Sequence, residues 1–588
     1  MSKHLSSEIR VPIEPGNPAI MRRESLCIRC GKCRDVCRDE IGVLGYYDLA
    51  HTGDVPICIH CGQCANVCPV DSITETPETE AVKAAVADPD KIVIVSTSPS
   101  VRIALGEEFG LTDGSFVEGK MVAMLKKLGV DYVLDTNFAA DMTILEEAGE
   151  LVDRIAHGTK PLPQFTSCCP AWVKFAETYY PDLLPHLSTA KSPIGMQGPT
   201  VKTYFAKKLG LDPRRIVNVA LTPCTAKKFE IRREEMDAAG KYWDIPGMRD
   251  MDQVITTREA AAWAREAGID FASLADAPFD PLMGEASGAG VIFGNTGGVM
   301  EAALRTAYHE VTGKTAPSSF YDLEPVRGME GIREAQVSLG DLSLKVAVIY
   351  GTEQVRRFLA EKKDQLQEYA FIEVMTCPGG CIGGGGQPKG TQVKGEKLLV
   401  SRIRGLYRRD AQLAKRNSYE NQELQMLYRD FYGAPLSEKA ERLLNTHYTD
   451  RSSMLGIDAG SYRAPREDTG KIRTGYEEVT KPGNKTRKWK CRICGYIYEG
   501  EQPPAECPLC HKDNSYFDEI KRWRCRICKY ECEGVEPPAE CPVCHKDSSY
   551  FDEIKRWRCR ICGYECEGVN PPAECPVCHK DSSYFDAE

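Results

Sequence analysis

The sequence predicts a multidomain chain with a cysteine-rich N-terminal module, an α/β central domain and small metal-bound β domains at the C-terminus. Three observations predict this order. Two short runs before residue 70 hold eight cysteines, short apolar strands alternate with helical patterns in the middle of the chain, and a cysteine-rich unit recurs every 34 residues from Trp489. The 588 residues suffice for three or more domains of roughly 150 residues each.

The composition narrows the class of protein. The net charge is −10, whereas a nucleic-acid binder usually has a basic surplus, so we expect no nucleic-acid partner. The first 25 residues lack the apolar core of a signal peptide, and no run of 18 apolar residues predicts a membrane span. We therefore predict a cytoplasmic protein, in which 27 cysteines are more often metal ligands than disulfides.

Two N-terminal runs share one cysteine spacing. Residues 27–37 read CIRCGKCRDVC and residues 58–68 read CIHCGQCANVC, each a C-x2-C-x2-C-x3-C pattern. Such runs are typical of bacterial ferredoxins, in which the fourth cysteine of each run binds the other 4Fe–4S cluster. We predict a two-cluster ferredoxin-like domain over 25–85, after an N-terminal segment at 1–24. One cluster would use Cys27, Cys30, Cys33 and Cys68, and the other Cys37, Cys58, Cys61 and Cys64.

The C-terminal part repeats one unit at residues 488–520, 522–554 and 556–588. Each copy contains C-x2-C, a spacer of twelve residues and C-P-x-C. Two such cysteine pairs give the tetrahedral four-sulfur coordination that suits zinc or a single iron. The ligand sets would be Cys491, Cys494, Cys507 and Cys510; Cys525, Cys528, Cys541 and Cys544; and Cys559, Cys562, Cys575 and Cys578.

The residues around these cysteines favour iron over zinc. The flanking Trp and Phe, the Gly-Tyr and the Pro-Pro of each copy resemble the short rubredoxin attached to rubrerythrins. The resemblance implies three mononuclear iron sites, with structural zinc as the alternative. Cys532 and Cys566 stand where the first copy has Tyr498, and we expect them to pack rather than to bind metal.

The central domain is predicted over residues 90–451. Short apolar strands at 91–96, 216–221 and 345–350 alternate with helical patterns at 117–128, 141–156 and 257–267, which indicates an α/β fold. Residues 404–446 are polar and helical in pattern and predict a C-terminal extension that packs on the core. Residues 452–487 have few large apolar side chains and predict a linker.

Three motifs of this domain contain the five remaining cysteines. They read TSCCPAW at 166–172, TPCTAKKFE at 222–230 and EVMTCPGGCIGGGGQP at 373–388. In this order they resemble the three signatures of the FeFe-hydrogenases, the iron-only hydrogenases. The resemblance covers roughly residues 25–450. It implies that the central domain is an α/β FeFe-hydrogenase catalytic domain.

The resemblance implies an H-cluster, which is a 4Fe–4S cubane joined to a two-iron unit with CO, cyanide and azadithiolate ligands. Glycines beside the ligands would let the backbone approach this group closely. Lys227 would hold a cyanide through a charge-assisted hydrogen bond. The cubane ligands would be Cys169, Cys224, Cys377 and Cys381, with Cys381 bridging to the two-iron unit, and further contacts would come from Pro99, Ser100, Phe293 and Met375.

The resemblance also implies a proton relay. Cys168 matches the thiol that passes a proton to the bridging amine. Glu147, Ser188, Glu150 and Arg154 match the relay positions that lead to the surface. Three of them follow a spacing of i, i+3 and i+7, which puts them on one helix face. An ordinary salt-bridged helix surface is the alternative interpretation.

The family implies reversible H2 oxidation and proton reduction, with H2 and protons as substrates. Electrons would pass through the two 4Fe–4S clusters, and ferredoxin or rubredoxin-linked carriers would be the partners. Maturation proteins would supply the two-iron unit. A hydrogen sensor with weak turnover, and a cluster-assembly or electron-transfer relative, remain the alternatives. Ser98, Ala171, Thr222, Thr376 and Pro378 depart from the common signatures without removing any ligand.

Overall fold

The computed structural model describes residues 9–390, 395–465, 487–500, 502–508, 510–528, 530–559, 565–573 and 581–587. The chain forms two compact units, Met1–Glu478 and Val479–Glu588. The first unit contains the N-terminal module and the central domain, and side chains of both contribute to one hydrophobic core. Within the described ranges, no helix has both the length and the apolar character needed to cross a membrane.

The N-terminal module is held by a two-stranded antiparallel sheet around the cysteine runs. Strand β1 (Ile20–Arg22) precedes the first run and pairs with β2 (Ile73–Glu75), which follows the second. The short helices Lys32–Asp35 and Gln63–Asn66 begin directly after glycines with φ of 82° and 71°. Side chains rarely adopt this left-handed conformation, so the glycine after each C-x2-C permits the turn into the helix.

Two sheets form the central domain. Their strands are β3 (Ile92–Thr97), β4 (Tyr132–Asp135), β5 (Gln164–Phe165), β6 (Ile216–Thr222), β7 (Gln253–Thr256), β8 (Ile332–Leu339), β9 (Leu342–Tyr350) and β10 (Tyr369–Met375). The first sheet is parallel throughout, in the order β4–β3–β6–β7. The second has the order β5–β10–β9–β8, with β10 parallel to β5 and β9, and β8 antiparallel to β9. The predicted strands correspond to β3, β6 and β9, so the α/β prediction is confirmed.

Helices pack on both faces of the sheets, and their apolar side chains form separate core clusters. The helix predicted at 141–156 begins earlier, at Thr136, because the Asp135 carboxylate caps it by accepting a hydrogen bond from the Asn137 N–H at 2.7 Å. The helices of the first unit after the cysteine runs are Thr79–Ala87, Val101–Ala104, Glu118–Lys127, Thr136–His157, Pro170–Tyr179, Pro193–Thr200, Ala206–Leu209, Lys227–Glu230, Ala238–Trp243, Thr257–Glu266, Gly288–Ile292, Gly298–Thr312, Thr352–Glu361, Glu396–Gln412, Gln422–Leu427 and Glu438–Leu444.

The C-terminal extension packs on the core, as its pattern predicts, but the packed segment is longer than predicted. The first helix of the extension begins at Glu396 rather than at 404. At the other end, Leu455 and Ala459 are buried and belong to a core cluster, although they fall in the predicted linker. The remainder of that linker, 466–486, lies outside the described residues.

The second unit is a set of β-strands that continue from one copy into the next. The last strand of the first copy and the first strand of the second copy are one strand, β13 (Phe517–Cys525), and β15 (Phe551–Cys559) joins the second copy to the third. Cys491 pairs with Phe517, and Cys525 follows eight residues later, so successive metal sites are about 26 Å apart at about 3.3 Å per residue. The other strands are β11 (Arg487–Cys491), β12 (Ile497–Gly500), β14 (Glu531–Gly534), β16 (Glu565–Gly568) and β17 (Phe585–Ala587).

Arg258 joins the N-terminal module to the central domain. Its Nη2 lies 2.6 Å from Glu75 Oε2 and its Nη1 donates to Asn66 Oδ1 at 2.8 Å, while the same guanidinium donates to the carbonyl oxygen of Gly385 at 2.6 Å. Burial alone would raise the pKa of Glu75, but Arg258 holds that pKa below its ordinary value. The Glu75–Arg258 pair therefore stabilises the fold at pH values above the ordinary pKa of a glutamate. This contribution is lost as the pH falls through the lowered pKa of Glu75.

We expect Arg258→Met to lower the free energy of unfolding of the first unit by about 3 kcal/mol, because it leaves a buried carboxylate without its cation. Urea unfolding followed by tryptophan fluorescence measures this change. The matched control is Arg214→Met, which removes an exposed arginine beside Asp212 and should leave the unfolding midpoint nearly unchanged. Equal midpoints for the two variants would contradict the role of Arg258.

Candidate active site

A single buried cavity gathers the side chains that the three motifs predict. Its volume open to the centre of a water molecule is about 60 Å³. All five cysteines of the central domain line it, together with Lys227 and the four predicted contact residues. Positions that are more than 200 residues apart in the sequence thus meet in one place. The lining residues predicted from the sequence are Cys168, Cys169, Cys224, Cys377, Cys381, Lys227, Pro99, Ser100, Phe293 and Met375.

The cavity lies at the carboxyl ends of strands from both sheets. Cys168 and Cys169 follow β5, Cys224 follows β6, Cys377 follows β10, and Pro99 follows β3. Ligands of α/β proteins bind in the crevice beyond these strand ends. Cys169 also stands at the start of the helix Pro170–Tyr179, where Pro170 fixes the first turn. The strand ends therefore explain why three separate motifs reach one site.

Four cysteines around the cavity fit the donor set of a 4Fe–4S cubane, which takes four thiolates. In the predicted assignment, Cys169, Cys224, Cys377 and Cys381 would supply these thiolates, and Cys168 would be left as a fifth sulfur that the cubane does not need. Lys227 is the charged residue of the lining, and its other polar side chains are serine and threonine hydroxyls. A cysteine set in such an apolar site fits a cluster that must be kept from water.

The glycines after Cys377 and Cys381 lie where other segments of the backbone approach closely. This packing is a second reason for glycine at these positions, beside the predicted approach of the H-cluster. A Cβ at Gly384 would lie 2.5 Å from the Pro223 carbonyl oxygen, and one at Gly385 would lie 2.3 Å from that of Cys61. Gly380 has a φ of +90°, and a Cβ there would lie 2.6 Å from the Thr296 nitrogen. Side chains at these positions would push apart the loops that carry the cysteines.

The N-terminal cysteines separate into an outer and an inner set. Cys27, Cys30, Cys33 and Cys68 line one small cavity, and Cys30 is exposed to solvent. In the inner set, the loop of Cys58, Cys61 and Cys64 packs directly on the loop after Cys381. Gln63 Nε2 donates to the Gly383 carbonyl oxygen at 2.9 Å, and Asn66 Nδ2 donates to that of Gly384 at 2.9 Å. Burial and the thiols of Cys58, Cys37 and Cys33 raise the pKa of Cys64, as expected for sulfurs drawn together by the crossed ligand pattern.

Lys227 is buried and held by two groups. Its Nζ lies 2.8 Å from Glu230 Oε2 and donates to the Cys168 carbonyl oxygen at 3.0 Å. Burial alone would lower the pKa of Lys227, but Glu230 and Cys224 raise it, so the ammonium form is favoured. The lysine therefore presents a fixed positive charge at the cavity wall.

Three of the predicted relay residues are joined by hydrogen bonds in the buried part of the domain. Ser188 Oγ donates to Glu150 Oε2 at 2.9 Å, and Arg154 Nη2 lies 2.7 Å from Glu150 Oε1. The same oxygen lies 2.8 Å from Nζ of Lys160, whose side chain is 39% exposed. Lys160 was not predicted, although it extends these contacts to the surface. A salt-bridged helix surface does not describe these residues, since Glu147, Glu150 and Arg154 are all buried.

Glu147 lies at the cavity end of the predicted relay. Among the described residues, neither of its carboxyl oxygens has a hydrogen-bond partner at full hydrogen-bond geometry, although the Ser188 hydroxyl is close enough to oppose the rise of its pKa. Burial and the neighbouring Glu150 raise the pKa of Glu147 to about 8. Burial, followed by the charge of Glu147, likewise raises the pKa of the Cys168 thiol. Both groups therefore hold a proton at neutral pH.

Two four-sulfur sites are formed in the second unit. In the first copy, the Sγ atoms of Cys491 and Cys510 are 3.6 Å apart and those of Cys494 and Cys507 are 3.4 Å apart. A tetrahedral ion with metal–sulfur bonds of about 2.3 Å requires sulfurs separated by about 3.8 Å, so little adjustment is needed. The backbone N–H of Cys494 lowers the pKa of Cys491 to about 7, which favours the thiolate. The second copy repeats this arrangement with Cys525, Cys528, Cys541 and Cys544.

Cys532 packs beside the second four-sulfur site and is half-buried against Cys525, Cys541 and Phe551, in agreement with a packing role. The third ligand set and Cys566 lie outside the side chains that the structure describes. That set is Cys559, Cys562, Cys575 and Cys578.

The sequence motifs missed part of the cavity wall. Thr136, Ala140, Pro193, Ile194 and Gly294 line it but lie outside the three signatures. Thr136 and Ala140 belong to the first turns of the relay helix, so the stretch DTNFAADMTILEE carried a signal for them. Pro193 and Ile194 begin another helix, and no local pattern distinguishes them from ordinary core residues.

Four family models match the chain. Residues 91–385 match "Iron only hydrogenase large subunit, C-terminal domain" and residues 396–451 match "Iron hydrogenase small subunit". Residues 19–83 match "4Fe-4S dicluster domain". The model "Rubrerythrin, rubredoxin-like domain" matches at 489–518, 523–552 and 557–586. The predicted extension therefore corresponds to a segment with its own family model.

Several characterised proteins are similar to the chain. The NADP-reducing hydrogenase subunit HndD of Solidesulfovibrio fructosivorans is 44% identical over 454 residues, which cover 74% of this chain and 75% of that protein. Iron hydrogenase 1 of Clostridium pasteurianum is 44% identical over 436 residues, covering 72% and 74%. Cytosolic iron-sulfur assembly component 3 of Bos taurus is 34% identical over 377 residues, covering 63% and 76%.

The fold has a counterpart among solved structures. A variant of the FeFe-hydrogenase HydA1 from Chlamydomonas reinhardtii superposes with a TM-score of 0.56 at 37% identity, covering 64% of this chain and 99% of that one. Together with the gathered cysteines and the matching large-subunit model, these similarities establish the family. The chain belongs to the FeFe-hydrogenases, the iron-only hydrogenases that carry an H-cluster.

Proposed function

We propose that the chain catalyses the reversible oxidation of H2 to two protons and two electrons. The observation that carries this proposal is the convergence of five cysteines on one buried cavity, where a cubane needs four. Cys169, Cys224, Cys377 and Cys381 would hold the H-cluster, with Lys227 at a cyanide. When bound, the H-cluster supplies the iron site at which H2 is cleaved or formed.

The proton path would begin at Cys168 and continue through Glu147, Ser188 and Glu150 to Arg154 and Lys160. Cys168 and Glu147 are both buried, and each holds a proton at neutral pH. Ser188 can pass a proton on, because a hydroxyl both donates and accepts hydrogen bonds. It donates to Glu150 and also opposes the rise in the pKa of Glu147, which favours a position between the two carboxyl groups.

Electrons would pass between the H-cluster and the inner cluster, and then to the outer cluster. The inner cysteine loop touches the loop after Cys381 through Gln63 and Asn66, which favours this order. The outer set contains the exposed Cys30, where a ferredoxin or another carrier could exchange electrons.

An assembly-factor function is the second candidate, because the assembly component of Bos taurus is 34% identical to this chain. A sensor with weak turnover is the third. The intact Cys168 and the buried relay favour catalysis, since an assembly factor has no use for protons moved to a buried site. Infrared spectra of matured protein discriminate, because CO and cyanide bands require the two-iron unit, and H2 turnover then separates an enzyme from a sensor.

We further propose that the three C-terminal copies bind iron and accept electrons derived from H2. Rubredoxin-type iron lies at a more positive potential than the H2 couple, which is near about −0.4 V at pH 7 from roughly 59 mV per pH unit. Electron flow from H2 to these sites would therefore be downhill, towards a rubredoxin-linked acceptor. A cytoplasmic location and maturation proteins that build the two-iron unit belong to the same proposal.

The adjacent cysteines provide an asymmetric test. Cys169→Ala should remove the cubane, with loss of iron and of the infrared bands. Cys168→Ala should keep the bands and lower H2 turnover by roughly 10²–10⁴-fold, the usual contribution of a positioned acid or base. If both variants fail alike at cluster assembly, the assignment of separate roles is wrong.

The relay predicts that Glu147→Gln lowers H2 turnover by roughly 10²-fold or more while the infrared bands remain. The reason is that an amide cannot pass on a proton in the same way as a carboxyl group. Glu146→Gln is the matched control on the same helix, because the Glu146 carboxylate faces Tyr428 and the Leu436 N–H instead. Equal turnover in the two variants would contradict the path.

The electron path to the C-terminal copies can be followed by stopped-flow absorbance. We expect H2 to reduce the 4Fe–4S clusters first and the C-terminal iron afterwards, with bleaching of the oxidised iron–thiolate bands. A variant with Cys491→Ser and Cys525→Ser should lose the matching part of that absorbance change. Iron that stays oxidised in the presence of H2, or zinc in place of iron, would overturn this part of the proposal.

A further inference from the structure

A buried positive charge lies beside the inner cysteine run. Lys174 is 6% exposed and belongs to the helix Pro170–Tyr179 of the central domain. Its Nζ lies 2.8 Å from Nε2 of His60, the residue between Cys58 and Cys61. The contact crosses from the catalytic domain to the cluster-binding loop of the N-terminal module.

Lys174 differs from the other buried lysines of the described chain. Each of those has a carboxylate partner: Lys191 pairs with Asp250 at 3.2 Å, and Lys202 with Asp252 at 2.7 Å. Lys227 and Lys228 pair in the same way with Glu230 and Glu259. Among the described residues, no carboxylate forms an ion pair with Lys174.

A buried ammonium group requires a compensating charge, because removing it from water is costly. Burial lowers the pKa of Lys174, and the thiolate of Cys58 is the strongest group that opposes this shift, ahead of Glu14. Cys58 is a predicted ligand of the inner cluster. A cluster held by four thiolates carries net negative charge, so it can supply the counter-charge that no nearby carboxylate gives.

The surroundings hold Lys174 in this position. The His60 and Phe229 rings lie 4.7 Å apart between centroids, and the Lys174 Nζ lies 4.8 Å from the Phe229 centroid. Thr225 Oγ1 donates to the His60 carbonyl oxygen at 2.8 Å. Thr225 and Phe229 belong to the motif of Cys224, so the catalytic domain fixes both the histidine and the lysine.

The other charged groups nearby do not replace the cluster as a partner. Glu14 Oε1 lies 3.9 Å from His60 Nδ1, on the opposite edge of the imidazole from the lysine. Glu177 is bound by Arg233 at 2.6 Å and by Arg451 at 2.8 Å, so its charge is already compensated.

We propose that Lys174 is the counter-charge of the cluster bound by Cys37, Cys58, Cys61 and Cys64, and that it raises the reduction potential of this cluster. A nearby positive charge stabilises the reduced form, which carries one more negative charge than the oxidised form. Electrons from H2 would then be held next to the H-cluster until a carrier takes them. The inference rests on the proposed electron path, and Lys174 acts on it as a positioning residue rather than as a ligand.

The test compares the holoenzyme with Lys174→Gln, Lys174→Met and Lys174→Arg. Redox titrations followed by electron paramagnetic resonance give the midpoint of each ferredoxin-type cluster. We expect the two neutral variants to lower one midpoint, with the ratio of reduced to oxidised cluster falling about tenfold at a fixed potential, equivalent to about 59 mV for one electron. Lys174→Arg keeps the charge and should titrate near the wild type.

Lys208→Gln is the matched control, because it removes the same charge at the surface beside Asp430. It should leave both midpoints unchanged. Neutral variants that keep all their iron and titrate like the wild type would overturn the proposal. If both neutral variants lose the inner cluster, its retention in Lys174→Arg supports the counter-charge, and its loss there too shows a packing role and overturns the proposal.

This readout is separate from H2 turnover. Absence of CO and cyanide bands in matured wild-type protein would remove the proposed hydrogenase function but leave the titration of the ferredoxin-type clusters measurable. Unchanged midpoints in an enzyme that turns over H2 would remove only the role of Lys174.

Discussion

The contact between the loop of Cys61 and Gly62 and the loop of Gly384 and Gly385 is the constraint on which the first unit depends. Backbone meets backbone there, and a Cβ at Gly385 would lie 2.3 Å from the Cys61 carbonyl oxygen and 2.8 Å from the Gly62 Cα. This close approach brings the inner ferredoxin-type cysteines against the loops that surround the active-site cavity. Electron transfer requires short separations, so the proposed electron path depends on the glycines of these loops, which let the two loops approach closely.

The same packing separates the two adjacent cysteines of TSCCPAW. Successive side chains diverge, so Cys169 can join the other three ligand cysteines while Cys168 faces the buried carboxyl path. Protons and electrons would therefore leave the cavity in different directions. The proposed proton path would continue along the relay helix to Glu150, and the proposed electron path would run through the inner cysteine loop.

The buried lysines of the described chain follow a consistent rule, which makes the one exception informative. Lys191, Lys202, Lys227 and Lys228 each have a carboxylate partner. Lys174 lacks such a partner among the described residues and lies beside His60, between Cys58 and Cys61. Its unpaired state fits a group that balances a cluster, since a purely structural role would leave the desolvation cost uncompensated.

The sequence by itself indicated the order of the modules, the cysteine runs that predict metal binding at both ends and the α/β class, because cysteine spacing and apolar periodicity are local properties. It also determined that Glu147, Glu150 and Arg154 share a helix face. Only the tertiary structure decided that Lys160 binds Glu150 near the surface, that Pro193 and Ile194 line the cavity, and that Lys174 lies beside His60. The strands shared by successive C-terminal copies were also not predicted. Contacts between residues that are far apart in the sequence leave no local pattern from which they could be predicted.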